Sequence, residues 1–388
     1  MRPAALEAMT RELAASGNPS SLHGSGRRAR RVLEEARELI AERLGATPHE
    51  VVLTGGGTEA DNLAVKGAYW ARHDADPARD RLLVSAIEHH AVLDPAQWLA
   101  GRGARVELLP VDAAARLDLD RLRDSVDPRV AVISVMWANN EVGTVQPVSE
   151  VVATAARHGV PVHADAVQAA GWLAVDFAAS GLDLMTVSAH KVGGPVGVGA
   201  LLVRRGTALT AVLHGGGQER SLRSGTPDAA GAVGFAVALD EAVRAREVTA
   251  RRVAALRDRL LGGVLAAVPD TLVSGDPADG LPGIAHLVFP GCEGDSLLYL
   301  LDAAGIECST GSACQAGVAR PSHVVLATGL PERQARGALR LSLGWSSTDA
   351  DVDALLAVIG EVVERARRAG VSGSPSAGPA ADNAVRTG

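Results

Sequence analysis

Between Arg27 and Leu44 the apolar residues recur at helical spacing. Val32, Leu33, Ala36, Leu39, Ile40 and Leu44 form one stripe, and Gly45 supplies the stop, which predicts an amphipathic helix. After it the period shortens. Apolar runs at 51–53, 82–84, 106–109, 130–135, 160–164, 184–187 and 200–203 predict strands, with helical stretches between them. That alternation implies βαβ units, hence a mostly parallel sheet covered by helices on both faces, an α/β fold. A long helical region over 228–267 leads to a second unit. There we expect strands at 284–288 and 338–343, helices at 295–304, 321–328 and 349–369, and a short apolar strand at Gly305-Ile306. We expect a large domain over residues 1–250 and a smaller α+β domain over 251–369, with a first helix from Pro3 to Leu13 free to pack against the small domain. Residues 370–388 are rich in Gly, Ser, Pro and Ala and read as a disordered tail.

Composition narrows the class. The 388 residues are 47% hydrophobic and 21% charged, with a formal net charge of −7 and no block of basic residues, which argues against direct nucleic-acid binding. Aromatics are only 3%, so the core must be aliphatic and alanine-rich. No apolar run approaches a membrane span, and the N-terminus lacks the apolar segment of a signal peptide, so a cytoplasmic location is expected. The three cysteines, Cys292, Cys308 and Cys314, cannot build a disulfide framework and lack the paired spacing of a zinc site. No metal is expected.

The richest chemistry lies at Ser188-Ala189-His190-Lys191, between an apolar run and Gly193-Gly194-Pro195-Val196-Gly197. A strand that ends on a lysine and breaks into glycines presents an amine at the rim of a sheet. Such an amine can form a Schiff base with an aldehyde cofactor, usually pyridoxal 5′-phosphate (PLP), while Ser188 and His190 offer hydrogen bonds to a phosphate or ring. A surface lysine after a strand is the plainer alternative. Thr54-Gly55-Gly56-Gly57-Thr58 follows a strand and opens a helix, the arrangement that binds phosphate through backbone N–H groups. The same stretch fits a dinucleotide fingerprint with Asp80 downstream, or a plain strand–helix turn. His89, at the end of the run before it, could stack on a planar ring or move a proton. Asp165 ends a buried strand, where a carboxylate is costly unless paired, and a pyridinium nitrogen is such a partner. Gln168 lies on the same side.

Other clusters are weaker alone. Asn139-Asn140-Glu141 follows a strand. Arg223-Ser224-Gly225-Thr226 suits a phosphate or a solvated loop. His214-Gly215-Gly216-Gly217 is similar to a lipase oxyanion loop, but the chain has no G-x-S-x-G nucleophile elbow. Cys314 stands in the small, polar run Cys308-Ser309-Thr310-Gly311-Ser312-Ala313-Cys314, which suits a mobile nucleophile, whereas Cys308 reads as a small core residue. Arg340 is the single charge in Ala338-Leu339-Arg340-Leu341-Ser342-Leu343. It fits either a substrate carboxylate or a structural ion pair.

In order, GNPSSLH, TGGGTEADN, EHHAVLD, NNEVGTVQP, HADAVQ, SAHK, HGGGQER, RSGT, STGSAC and LRLSLG resemble the cysteine desulfurases. These are PLP enzymes of fold type I in the class-V aminotransferase superfamily. The resemblance runs from Gly17 to Trp345. It implies a homodimer that takes sulfur from L-cysteine, leaves L-alanine, and passes the sulfur to an acceptor protein, either an iron–sulfur scaffold or a tRNA-thiolation enzyme. Selenocysteine lyases and aminotransferases of the superfamily share the pattern. By resemblance, Lys191 is the Schiff-base lysine, Asp165 meets the pyridine nitrogen, Gln168 the ring hydroxyl, and His89 stacks on the ring. Gly57, Thr58, Ser188 and His190 hold the phosphate, with Thr226 reaching it from the other subunit. Asn140 and Arg340 bind the substrate carboxylate, and Cys314 accepts the sulfur. The family usually has a Tyr-Leu-Asp-x-Ala-Ala-Thr-Thr-Pro-like segment ahead of the first helix. Here Met1-Arg2-Pro3 leads directly into that helix, so an open pocket wall and an impaired turnover are expected.

Overall fold

The computed structural model describes residues 1–15, 17–311 and 321–372. The strands are β1 (Val51–Thr54), β2 (Arg81–Ser85), β3 (Arg105–Leu109), β4 (Val130–Ser134), β5 (Val162–Asp165), β6 (Leu184–Ser188), β7 (Gly199–Val203), β8 (Leu272–Val273), β9 (Ile284–Val288) and β10 (Ala338–Ser342). Between and around them run helices α1 (Pro3–Leu13), α2 (Gly24–Arg43), α3 (Gly57–Ala75), α4 (His90–Ala100), α5 (Leu119–Ser125) and α6 (Val148–Ala156). The later helices are α7 (Phe177–Ser180), α8 (Ala229–Ala267), α9 (Gly294–Asp302), α10 (His323–Ala327), α11 (Glu332–Ala335) and α12 (Asp349–Ser372).

Seven strands form one sheet in the order β1-β7-β6-β5-β4-β2-β3. Adjacent residues of its strands face opposite cores. Leu53, Leu83, Ile133, Met185 and Leu202 enter one cluster, and Val52, Leu82, Val132, Leu184 and Leu201 enter the other. A sheet buried on both faces needs apolar residues at every position, which is why these strands read as continuous apolar runs. Pairing is parallel from β6 through β3, as expected for a mostly parallel sheet. The exception is β7, antiparallel to both β6 and β1. The chain between β6 and β7 is too short for a crossover helix, so it must double back. It does so through one turn over Ala189–Val192 and Gly193 at φ 86°.

The smaller sheet is antiparallel, in the order β10-β9-β8. Its core joins Leu287, Leu339 and Leu341 to Leu301, Val352, Ile359 and the far half of α8 (Leu256, Leu260, Val264). The near half of α8, including Phe235 and Leu239, packs in the main core, so one helix serves both. Two expectations need correction. Residues 305–306 form no strand: Gly305 takes φ 80° and Ile306 N–H bonds back to Leu301 O, which is a helix stop after α9. The last helix runs to Ser372, past the expected end at 369, and the tail expected beyond it lies outside the described residues from 373 on.

Candidate active site

Open parallel sheets leave a crevice beyond the carboxyl ends of their strands. Here β1, β2, β4, β5 and β6 deliver side chains into one cavity of about 430 Å³. Its lining brings together Gly57, Thr58, His89, Asn140, Asp165, Gln168, Ser188, His190, Lys191 and Arg340, each of which the sequence pattern singles out. Thr226 is exposed and does not line the cavity of its own chain. Cys314 lies outside the described residues, but Ser309 and Gly311 on its near side line the cavity.

Each position has a local cause. Helix α3 starts at Gly57 after Gly56, at φ 137°, with no side chain capping its N-terminus. Its first N–H groups therefore face the cavity unclaimed by a cap. A methyl on Gly57 would stand 3.1 Å from Val167 Cγ2 and 3.5 Å from Ser188 Cβ, so a side chain here would crowd Val167 and narrow this end of the cavity. His89 caps α4, its Nδ1 accepting from Ala91 N–H at 3.0 Å. That bond puts the proton of the neutral ring on Nε2, and burial, with His90 and Lys191 nearby, holds the ring's pKa below the ordinary imidazole value. Ser188 Oγ lies 2.9 Å from His190 Nδ1. Asn139 is fully buried and holds the loop after β4: its Oδ1 accepts from Glu141 and Val142 N–H, and its Nδ2 donates to Ile87 O. Asn140 is thereby turned to the cavity.

The floor is unusually acidic. Asp165 accepts from Val167 N–H at 2.8 Å, and burial lifts it from the ordinary 3.8 to about 6 despite that bond and the charge of Lys191. Burial also pushes Asp61 and Glu88 well above their usual range, and Asp165 adds repulsion to both. Asp61 Oδ1 and Glu88 Oε2 have no hydrogen-bond partner among the described residues. His163 lies 3.5 Å from Asp61, but burial drops its pKa to about 3. It is a neutral bridge between Ser134 and Thr186 rather than a counter-ion. Lys191 is pulled below its ordinary value by burial and by Arg340, with Asp165 opposing. On the far wall Arg340 donates to Asn140 O at 2.9 Å, and its buried Nε has no hydrogen-bond partner among the described residues. Behind the Lys191 turn, Arg2 N–H donates to Gly193 O at 2.7 Å and Arg2 Nε to Val192 O at 3.0 Å, while its guanidinium covers the Trp345 ring.

Asp61, Glu141 and His323 also line the cavity and had no role in the sequence reading, although Glu141 stood in the Asn139-Asn140-Glu141 cluster. Asp61 had a signal: it follows Thr58 by one helical turn, on the face of α3 that is otherwise apolar.

Asp165 makes a stability prediction with a definite sign. A carboxyl whose folded pKa is raised helps the fold when protonated, fully so below about pH 4, and that help is lost as pH rises through about 6. A shift from 3.8 to about 6 is worth roughly 3 kcal/mol. Cofactor-free Asp165→Asn should therefore melt above cofactor-free wild type at pH 7.5, and the gap should close near pH 4. Equal melting temperatures at pH 7.5 would refute the buried charge.

The aminotransferase class-V family matches residues 1–355. An IscS-like cysteine desulfurase of Mycobacterium tuberculosis (strain ATCC 25618 / H37Rv) is 56% identical over 376 residues, 96% of each chain. The chain belongs to the cysteine desulfurases. Members of this family depend on PLP. Among solved structures, a NifS-like protein superposes with TM-score 0.87 at 34% identity, covering 94% of this chain and 96% of that one. SspA in complex with cysteine superposes with TM-score 0.76 at 32% identity, covering 88% and 95%. The desulfurase fold is thus shared over nearly the whole length, and the family enzymes act on L-cysteine and hand sulfur to acceptors. Among the described residues no helix is long and apolar enough to cross a membrane.

Proposed function

We propose that this chain binds PLP in the cavity described, removes sulfur from L-cysteine to leave L-alanine, and holds the sulfur as a persulfide on Cys314. The convergence of Lys191, Asp165, His89 and Arg340 on one cavity carries this reading. The residues suit the cofactor. The uncapped start of α3, with Gly57, Thr58, Ser188 and His190, would take its phosphate. Asp165 would meet the ring nitrogen, gaining the cation its burial lacks, with Gln168 at the ring hydroxyl and His89 flat against the ring. When bound, PLP supplies an electron-withdrawing ring that makes the substrate Cα proton removable.

The chain's own groups do the rest. Arg340 offers its Nε, which has no hydrogen-bond partner among the described residues, to the substrate carboxylate, beside Asn140. Lys191, with its lowered pKa, is the base for the Cα proton. The Cys314 thiolate attacks the substrate sulfur, so an S–S bond forms as the substrate C–S bond breaks. The carbon side keeps the electron pair, takes up a proton and leaves as alanine. An acceptor protein, an iron–sulfur scaffold or a tRNA-thiolation enzyme, then collects the sulfur. In a homodimer, Thr226 would reach the phosphate of the opposite subunit, and the cytoplasm is the setting we assign.

Purified protein supplied with PLP and L-cysteine should release alanine and carry one extra sulfur on a peptide containing Cys314. Alanine without that sulfur, or neither product, would refute the reading. Arg340→Ala should cost about 2–5 kcal/mol in kcat/KM for L-cysteine, the loss expected when one partner of a desolvated charge pair is removed. PLP content should not change. A variant that fails to fold would mark Arg340 as a structural ion pair instead.

A further inference from the structure

Glu141 takes no part in the chemistry above, yet it meets the chain on both sides of residues 312–320. Glu141 is 4% exposed. Its Oε2 accepts from Ser322 Oγ at 2.5 Å on the far side of that stretch. On the near side Gly311, at φ 82°, packs so tightly that a methyl there would stand 2.5 Å from the same oxygen. The near side is also stitched to Arg340, since Ser309 N–H donates to Arg340 O and Arg340 N–H to Ser309 O. Arg340 in turn holds Asn140 O, the residue before Glu141. Asn139 fixes the backbone of Glu141 from below.

We propose that Glu141 is a positioning residue for sulfur transfer. Its carboxylate gathers Gly311 and Ser322 beside Arg340, and so sets where the chain carrying Cys314 leaves the wall that holds the substrate carboxylate. This rests on the desulfurase reading. Glu141 faces Arg340 with the same sign of charge as the substrate carboxylate, so removing it is not expected to weaken L-cysteine binding. Losing it should therefore spare affinity and slow the sulfur step, the opposite of what general damage to the site would do.

The test uses holoenzyme of wild type, Glu141→Ala, Glu141→Gln and Ser322→Ala. L-cysteine binding is read from the cofactor absorbance, and persulfide yield and Cys314 alkylation by iodoacetamide are measured separately. Glu141→Ala should lower kcat for persulfide formation by about tenfold, the scale of one lost charge-assisted hydrogen bond, with KM unchanged or lower. Glu141→Gln keeps an acceptor for Ser322 Oγ and should recover most of the rate. Ser322→Ala should fall with Glu141→Ala, and alkylation of Cys314 should change in the same order. Wild-type kcat in Glu141→Ala overturns the inference, as does a rise in KM that matches the loss of rate. If Glu141→Ala does not fold, full loss in Glu141→Gln with an unaffected Ser322→Ala overturns it equally. A wild type that releases no alanine from L-cysteine defeats the desulfurase reading instead, whatever the variants do.

Discussion

Lys191→Ala should abolish desulfuration and any covalent hold on PLP. Borohydride reduction of the wild-type holoenzyme should fix the cofactor on the peptide containing Lys191, whereas the variant should yield no reduced adduct. The chain contains its own control. Lys66 is its only other lysine, and it lies over the Trp98 ring, away from the cavity. Loss of a positioned base alone removes about 10²–10⁴ of rate. With Lys191 proposed as the covalent anchor as well, alanine release should fall by at least about a thousandfold. The fold should survive, because Lys191 sits in a turn whose shape is set by Gly193 and by the β6–β7 pairing. An adduct on Lys66, or activity within tenfold of wild type, would remove Lys191 from its role.

Lys191 was legible because its setting is local: an apolar strand, one amine, then glycines. The same holds for Asp165 at the end of β5 and for Gly57 at the start of α3. All of these placements follow from where a strand stops. The direction of β7 was not legible in the same way. It depends on the length of the chain between two strands rather than on the residues of either. Glu141 was hidden for a deeper reason. Its partner Ser322 lies 181 residues away, and Arg340 reaches Asn140 across 200, so the Asn139-Asn140-Glu141 cluster marks the place but its neighbours in the chain do not disclose what Glu141 holds. The false strand at 305–306 has the converse cause. A glycine followed by an isoleucine fits a strand as well as a helix stop, and the positive φ of Gly305 decides between them.

Cys314→Ser should separate cofactor chemistry from sulfur transfer. The variant should keep PLP and the absorbance change on adding L-cysteine, because Lys191, Asp165 and Arg340 are untouched. It should lose the persulfide and nearly all alanine release. The other two thiols cannot substitute, and their surroundings say why. Cys292 is buried and its Sγ faces Val363 O; burial raises its pKa. Burial, with Asp302 nearby, pushes Cys308 up to about 11. At pH 8 a thiol of pKa about 11 is ionised to roughly one part in a thousand, and the thiolate is the nucleophile. Cys308 also packs against the smaller core, so it is not free to travel to a substrate. Cys308→Ser should therefore keep persulfide formation close to wild type, at some cost in stability. Full turnover in Cys314→Ser, or an equal loss in Cys308→Ser, would show that the sulfur goes to a different thiol.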